Sequence, residues 1–190
     1  MSAQPKPWLT PAEYLDIERS ATIRSEYIDG EMVAMSGGSW EHGLIAANVV
    51  GELRQKLKRR PCQIQGSDLR IRVASGRLYT YPDVTVVCGE PQFEDSQRDI
   101  LVNPTLIGEV LSPSTEAYDR GKKFELYRSI PSLRGYLLVS QDDPHVELFT
   151  LQPDGRWFFT ATAGLETTVT LASIECDLAL AEIYDKVFPA

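Results

Sequence analysis

Hydrophobic and polar positions are arranged in three ways along this chain, and each way predicts a different kind of element. Residues 26–35 alternate around Asp29-Gly30, which is the turn pair of a two-residue β-hairpin. Apolar residues recur at helical spacing over residues 40–59, which predicts a helix that Ser39 caps. Residues 134–139 are continuously apolar at their centre, which is typical of a strand inside a sheet.

The remaining elements follow from the same kinds of pattern. Thr10-Pro11-Ala12-Glu13 is a capping box that starts a short helix ending near Arg19. Five apolar residues are predicted to form the buried face of the long helix: Leu44, Ala47, Val50, Leu53 and Leu57. Further strands are predicted at residues 63–73, 78–87, 105–111, 145–151, 156–161 and 167–171, with a turn at 74–77, and further helices at 116–129 and 178–187. This mixture predicts an α/β fold of the mixed α+β kind, in a single domain over residues 1–190.

Composition limits the classes of function. The chain has no run of about 18 apolar residues, so no membrane span is predicted, and residues 1–8 lack the apolar stretch of a secretory signal. Three widely spaced cysteines, Cys62, Cys88 and Cys176, are typical of buried reduced thiols in a cytosolic protein. The net charge of -8 counts against nucleic-acid binding, because phosphate contacts favour basic proteins.

Glu109 is the residue whose setting is most informative. It lies in the middle of the apolar run 106–111, and both faces of that strand are predicted to be buried. An unpaired ionised carboxylate in such a place is costly, so Glu109 needs a partner or a metal ion. An arginine on the neighbouring strand is the structural alternative.

Asp83 is the second candidate acid. It follows Pro82 at the start of the apolar run 84–87, and proline interrupts strand pairing at that point, so a ligand could reach the carboxylate. A simple Pro-Asp turn is the structural alternative. Asp83 and Glu109 on neighbouring strands could together bind Mg²⁺, which takes one or two carboxylates, waters and substrate phosphates. A metal held there would lower the pKa of a bound water and neutralise charge at a scissile phosphate.

The predicted helix at residues 116–129 carries Asp119, Lys123 and Tyr127 at intervals of four, so they form one stripe. Lys123 could orient or help deprotonate an attacking water, and Tyr127 could bind a phosphate oxygen. An exposed Asp-Lys pair of little energetic weight is the structural alternative.

Three further polar residues could support such a site. His42, in the first turn of the long helix, could contact substrate or metal, although a surface or core role is usual for a lone helical histidine. Glu26 belongs to the predicted hairpin and Asp68 to a predicted turn, and both positions are ordinary for solvated acids.

An ordered set of motifs resembles the Uma-type restriction endonuclease family of the PD-(D/E)XK nuclease superfamily. The set runs through residues 26–31, His42, residues 67–68, 82–84 and 109–115, Asp119, Arg120, Lys123, Tyr127 and Tyr136. The resemblance implies a restriction-endonuclease-like core over about residues 8–188, with a central mixed β-sheet flanked by helices. It also implies DNA as substrate, homodimers, Mg²⁺ or Mn²⁺ held by Asp83 and Glu109, and a supporting role for Ser112.

The chain departs from the superfamily pattern at one position. The superfamily places a lysine two residues after the glutamate, and Leu111 stands there in this chain. The resemblance suggests that Lys123 fills that place in space. The leading hypothesis is therefore a cytoplasmic, metal-dependent DNA endonuclease with Asp83, Glu109 and Lys123 as catalytic residues. The alternative is a catalytically degenerate nuclease-like module that binds or regulates.

Overall fold

Two mixed β-sheets and the helices packed on them form the fold, as described for residues 8–73 and 76–188 by a computed structural model. The helices are α1 (Pro11–Glu18), α2 (Trp40–Lys56), α3 (Glu116–Tyr118), α4 (Phe124–Tyr127) and α5 (Leu180–Ile183), with a π-helical turn at Asp119–Lys123 and a 3₁₀ turn at Ala172–Ile174. The strands are β1 (Ser25–Ile28), β2 (Glu31–Ala34), β3 (Cys62–Gln65), β4 (Arg70–Val73), β5 (Leu78–Thr80), β6 (Val84–Cys88), β7 (Ile100–Leu101), β8 (Leu106–Val110), β9 (Gly135–Val139), β10 (His145–Leu151), β11 (Trp157–Ala163), β12 (Thr168–Leu171) and β13 (Cys176–Ala179).

The larger sheet has six strands in the order β11-β10-β9-β8-β6-β3, and the smaller has five in the order β2-β1-β5-β4-β7. β8 and β9 run parallel at the centre of the larger sheet, and every residue of both strands is buried. Their continuous apolar sequences are therefore those of strands covered on both faces. The predicted mixed α+β fold class, with a central mixed sheet and flanking helices, is confirmed.

The N-terminal predictions are confirmed where the structure describes them. The Thr10 side chain accepts from the backbone N–H of Glu13, and the Glu13 carboxylate accepts from the backbone N–H of Thr10, which completes the capping box. β1 and β2 pair around Asp29 and Gly30, both of which have positive φ. The prediction about a secretory signal concerns residues 1–7, and part of the predicted turn concerns residues 74–75; both segments lie outside the described ranges.

The predicted buried face of α2 was wrong by about one position. The residues of the helix that are buried are Ile45, Val49 and Leu53, whereas Ala47 is exposed. The helix thus turns its Ile45–Val49–Leu53 stripe towards the larger sheet, and Leu57, just beyond the helix, is buried beside it. Apolar residues on two adjacent stripes made the choice ambiguous, because Leu44 and Val50 also pack partly against this core.

The run predicted as one strand over residues 78–87 is two strands in different sheets. β5 belongs to the smaller sheet and β6 to the larger one, and Pro82 lies between them. Proline has no N–H to give to a ladder, so pairing stops there and the chain can pass from one sheet to the other. Asp83 is the first residue after this crossing.

Two further predictions were wrong. The last helix was expected from residue 178, but residues 176–179 form β13, which pairs antiparallel with β12, and α5 is short.

Cys62 and Cys88 lie directly opposite each other on β3 and β6 and are joined by a disulfide, so the expectation of three reduced thiols fails for these two. Cys176 is a free, buried thiol, as expected.

A buried lysine–carboxylate cluster as candidate active site

Glu109 and Lys123 form the centre of a buried charged cluster. Glu109 lies on β8 and is 4% exposed, and its Oε1 is 2.9 Å from the Lys123 Nζ and accepts a 2.7 Å hydrogen bond from the Tyr127 hydroxyl. The stripe predicted from helical spacing therefore faces the Glu109 strand. The alternative of an exposed Asp119–Lys123 pair is excluded, because Asp119 and Lys123 are only 2% and 6% exposed.

Lys123 is surrounded by carboxylates. Its Nζ lies 3.2 Å from Oε1 of Glu26 and 3.4 Å from Oδ1 of Asp119, in addition to Glu109. Glu26 comes from β1 of the smaller sheet, and its Oε1 also accepts a hydrogen bond from the Thr80 hydroxyl on β5. The cluster therefore joins both sheets to the helical segment.

The helical segment reaches this cluster through its π-helical turn. A π turn holds more residues than an α turn, so residues five apart align, and such turns are frequent at functional sites. Tyr118 and Lys123 are five apart, and the Lys123 Nζ is 5.7 Å from the centre of the Tyr118 ring. The π turn thus lets Tyr118 join Asp119 and Lys123 around one buried cluster.

Asp83 lies beside Glu109. Its Oδ2 accepts a 2.8 Å hydrogen bond from the backbone N–H of Val110, and its own backbone N–H lies 3.4 Å from Oε2 of Glu109. His42 completes this side of the site, with Nε2 at 3.2 Å from Asp83 Oδ2. The Asp83 side chain is 14% exposed and is thus more accessible than the Glu109 side chain.

Burial and neighbouring charges together raise the pKa values of both Glu109 and Lys123. Burial raises the pKa of Glu109 to about 8, with Lys123 opposing the shift and Asp83 and Asp119 adding to it. Burial alone would lower the pKa of Lys123, but the surrounding anions, Glu109 first, outweigh it and hold that pKa well above its usual value. Lys123 therefore stays protonated, and Glu109 holds a proton more readily than an ordinary carboxylate.

The flanking groups shift for similar reasons. The hydrogen bond to Asp83 raises the pKa of His42, although burial opposes it, and burial raises the pKa of Asp119. Burial is thus the main reason why the pKa values of the acids are raised, whereas neighbouring anions raise those of Lys123 and His42 against the effect of burial.

Two residues of this cluster were missed by the sequence analysis. Thr80 holds Glu26, and Tyr118 lies over Lys123 with a buried hydroxyl that has no hydrogen-bond partner among the described residues. The preference of threonine for strands gives no sign of its partner, and the position of Tyr118 depends on the π turn, which helical spacing does not reveal. Tyr136, quoted only within the family motif, donates a 3.0 Å hydrogen bond to the backbone carbonyl of Asp119.

Two predicted supporting residues have their described side-chain contacts with residues outside the cluster. Asp68 pairs with Arg24, and its side chain is 88% exposed, so it occupies the solvated position that was the alternative. Ser112 is 3.0 Å from the hydroxyls of Ser114 and Thr115, in the loop that precedes α3. His42, Glu26, Asp119 and Tyr127, by contrast, all contact the cluster.

The donor set around Asp83 and Glu109 fits a hard cation. Within residues 8–73 and 76–188, no group of three or more His, Cys, Asp or Glu side chains is arranged to hold a metal ion. Mg²⁺ does not need such a cage, because one or two carboxylates with waters suffice. Asp83 uses Oδ2, and Glu109 uses Oε1, for their short contacts with the protein, while Glu109 Oε2 has the longer, 3.4 Å contact with the backbone N–H of Asp83.

Comparison with solved structures gives the class of fold. A crystal structure titled as a putative nuclease belonging to DUF820, from Anabaena variabilis, superposes with a TM-score of 0.77 at 18% identity, covering 95% of this chain and 99% of that one. This chain therefore shares the mixed α+β fold of that protein. None of the described helices is both long and apolar enough to cross a bilayer.

Sequence comparison gives the family. Residues 11–181 match the model of the Uma2 family, described as "Putative restriction endonuclease", and the chain belongs to this family. Two uncharacterized proteins of Synechocystis sp. are each 40% identical to it, one over 156 residues (82% of this chain and 88% of the relative) and the other over 183 residues (95% and 93%). The resemblance stated from the ordered motifs is confirmed.

Proposed function

We propose that this protein is a Mg²⁺-dependent endonuclease that hydrolyses DNA phosphodiester bonds with Asp83, Glu109 and Lys123. Membership of a restriction endonuclease family and a nuclease-like fold support the class. One observation carries the assignment of residues: Glu109 lies beside Asp83 and 2.9 Å from an ammonium that a separate helical segment supplies. We infer that Lys123 takes the place of the lysine that the superfamily pattern expects at position 111, where this chain has leucine.

Each residue has a distinct part in the proposed reaction. Asp83 and Glu109 would hold Mg²⁺ or Mn²⁺, and the bound ion supplies an acidified water and charge neutralisation at the phosphate. Because the pKa of Lys123 is raised, it serves as a hydrogen-bond donor that orients water or phosphate and not as a proton acceptor. Tyr127 fixes the Glu109 carboxylate through its hydrogen bond, and His42 does the same for Asp83.

The test compares carboxylates inside and outside the site. We expect wild-type protein to cut plasmid DNA with Mg²⁺ or Mn²⁺, and Asp83→Asn and Glu109→Gln each to lower the rate by about 10³-fold. Asp68→Asn, an exposed acid away from the cluster, is the matched control and should leave the rate unchanged. The heat of Mn²⁺ binding in a calorimetric titration should be lost in Asp83→Asn and Glu109→Gln and kept in Asp68→Asn. Cutting that survives both site substitutions would refute the assignment.

A second candidate function is a catalytically degenerate module that binds or regulates. It is favoured by the enclosure of Lys123, whose side chain is 7% exposed among three carboxylates, and by the net charge of -8. This candidate predicts no metal-stimulated cutting of any DNA substrate. It also predicts that Glu109→Gln retains whatever DNA affinity the wild-type protein has in a filter-binding assay.

The setting of the activity is part of the proposal. We expect the protein to act on DNA in the cytoplasm and to do so as a homodimer, as the family resemblance implies. Sedimentation of the purified protein tests the dimer, and fractionation of cells that express a tagged chain tests the location.

A further inference from the structure

The exposed edge of the six-stranded sheet has unusual features. β11 is the last strand on that side, and all seven of its residues pair with β10 without a bulge. The strand contains no charged residue and no proline, and Phe158 and Phe159 are 61% and 48% exposed. Edge strands are normally protected by charge, proline or a bulge, because their free backbone groups invite pairing with another chain.

The backbone register of β11 shows which groups are free. Gln152 donates to the carbonyl of Arg156, and Gly164 donates to that of Pro144, which identifies both as hydrogen-bonded pairs of the antiparallel ladder. Pairs of this kind alternate along a ladder, so residues 158, 160 and 162 point their N–H and C=O groups towards β10. The outward-facing backbone groups belong to Trp157, Phe159, Ala161 and Ala163, and of these the Ala163 carbonyl also accepts a 3.1 Å hydrogen bond from the Thr167 hydroxyl.

The sequence of β11 is complementary to itself in size. Its first three residues, Trp157 to Phe159, are large and aromatic, and its last three, Ala161 to Ala163, are small. Antiparallel pairing of two copies about Thr160 sets Trp157 against Ala163, Phe158 against Thr162, and Phe159 against Ala161. Each bulky side chain then lies opposite a small one on the same face, whereas parallel pairing would set aromatic against aromatic.

The same arrangement satisfies the backbone and the charges. Pairing about Thr160 sets odd-numbered residues opposite odd-numbered ones, and these are the residues whose N–H and C=O groups face outward, so they form the hydrogen-bonded pairs of the new ladder, while Phe158 with Thr162 and Thr160 with its copy form the non-hydrogen-bonded pairs. Each chain has a net charge of -8, so two copies can meet best on a surface without like charges.

We propose that β11 is a homodimerisation surface, on which two copies pair antiparallel about a two-fold axis at Thr160 and extend the six-stranded sheet from one copy into the other. Pairing of one strand with its own copy is an isologous contact, which closes at two subunits. The proposal is independent of the proposed nuclease activity, since no residue of the lysine–carboxylate cluster lies on β11.

The first experiment measures association. We expect the full chain to sediment as a dimer at about 50 µM and Thr160→Lys to raise the dimer dissociation constant about 100-fold, because two ammonium groups would then face each other at the two-fold axis. Thr170→Lys, at an exposed threonine on β12, is the matched control and should leave the constant unchanged. Circular dichroism and thermal melting report whether either variant is misfolded.

The second experiment tests the register. Residues opposite each other in a non-hydrogen-bonded pair have Cα atoms about 4.5 Å apart, so T160C should form an intermolecular disulfide on mild oxidation. T162C is the matched control, because its two copies would lie about 13 Å apart along the strands. A monomeric wild-type chain at about 100 µM would overturn the proposal, as would a T160K variant that dimerises normally, or cross-linking of T162C as fast as T160C.

Discussion

Two buried charged clusters contact β1, and they differ in charge balance. Ser25 and Glu26, neighbours on that strand, each contact one of the two clusters. Glu26 faces Lys123, while the backbone of Ser25 donates to Glu18 in the second cluster. There the Tyr81 hydroxyl accepts from Arg70 Nε at 2.8 Å and donates to Glu18 Oε1 at 2.8 Å.

The surplus of acids over bases is smaller in the arginine cluster than in the lysine cluster. Arg70 shares Asp99 with Arg19, and Arg19 also pairs with Asp95, so with Glu18 three acids face two guanidinium groups in an ion-pair network. Around Lys123 the acids outnumber the bases: Glu26, Asp83, Glu109 and Asp119 face one lysine and His42. A buried surplus of carboxylates is costly unless a cation offsets it, and the larger surplus is the reason why we propose the metal for the lysine cluster and not for the arginine cluster.

The largest effect is expected from removing the central cation of each cluster. Lys123→Met leaves three buried carboxylates without their ammonium and should lower the free energy of unfolding by about 3–5 kcal/mol. Arg70→Met should cost less, about 1–3 kcal/mol, because Asp99 keeps Arg19 and Glu18 keeps both of its donors, the backbone of Ser25 and the Tyr81 hydroxyl. Urea denaturation with and without Mg²⁺ measures both. Magnesium should restore stability to Lys123→Met alone. Equal losses of stability in the two variants, with no response to Mg²⁺ in either, would contradict the difference between the two clusters.

The next effect is a pH dependence that only the lysine cluster should have. Because the pKa of Glu109 is raised from 4.5 to about 8, its protonated form favours the folded state. That contribution is complete below the unfolded-state value and is lost as the pH rises through about 8. Relative to Glu109→Gln, the metal-free wild-type protein should lose a few kcal/mol of stability between about pH 5 and pH 8. Parallel pH profiles of the two proteins would contradict this.

A matched pair of tyrosines sharpens the comparison further. Tyr127→Phe and Tyr81→Phe each delete one buried hydroxyl that donates to a carboxylate, and each should cost about 1–3 kcal/mol in the free energy of unfolding. The first should also weaken Mn²⁺ binding by about 10-fold, because Glu109 loses the hydrogen bond that orients it. The second should leave Mn²⁺ affinity unchanged. Calorimetric titration of both variants with Mn²⁺ measures this difference. Equal Mn²⁺ affinities in the two variants would mean that Tyr127 does not support metal binding.

The smallest effect is expected at the rim of the arginine cluster. Arg24 and Asp68 form an ion pair whose side chains are 47% and 88% exposed. Asp68→Ala should therefore change the free energy of unfolding by less than about 0.5 kcal/mol. A loss above about 1 kcal/mol in the same denaturation assay would mean that Asp68 does more than its exposure indicates.

Local patterns in the sequence predicted much of the fold and the centre of the candidate site. The capping box, the hairpin at Asp29-Gly30 and the two central strands depend on neighbours in sequence, and all are confirmed. The burial of Glu109 followed from the apolar residues on both sides of it in the strand. Helical spacing likewise put Asp119, Lys123 and Tyr127 on one face, and they meet Glu109 there.

What could not be predicted depends on partners that are distant in sequence. Nothing near Glu26 indicates that Thr80 and Lys123 would be its partners, because the pairing requires β1, β5 and the helical segment to be in place. The passage of the chain between sheets at Pro82 was hidden because residues on both sides of it favour strands. The pairing of Cys62 with Cys88 required knowing that β3 and β6 are neighbours.

The crossing at Tyr81-Pro82-Asp83 has a mechanical consequence. Tyr81 is fastened to Arg70 and Glu18 on the five-stranded side, and Asp83 is fastened to Val110 on the six-stranded side. Three consecutive residues thus act as a short tether between the two halves of the molecule. A displacement of one sheet relative to the other would therefore move the Asp83 carboxylate. The candidate site keeps its geometry only while the two sheets stay packed together.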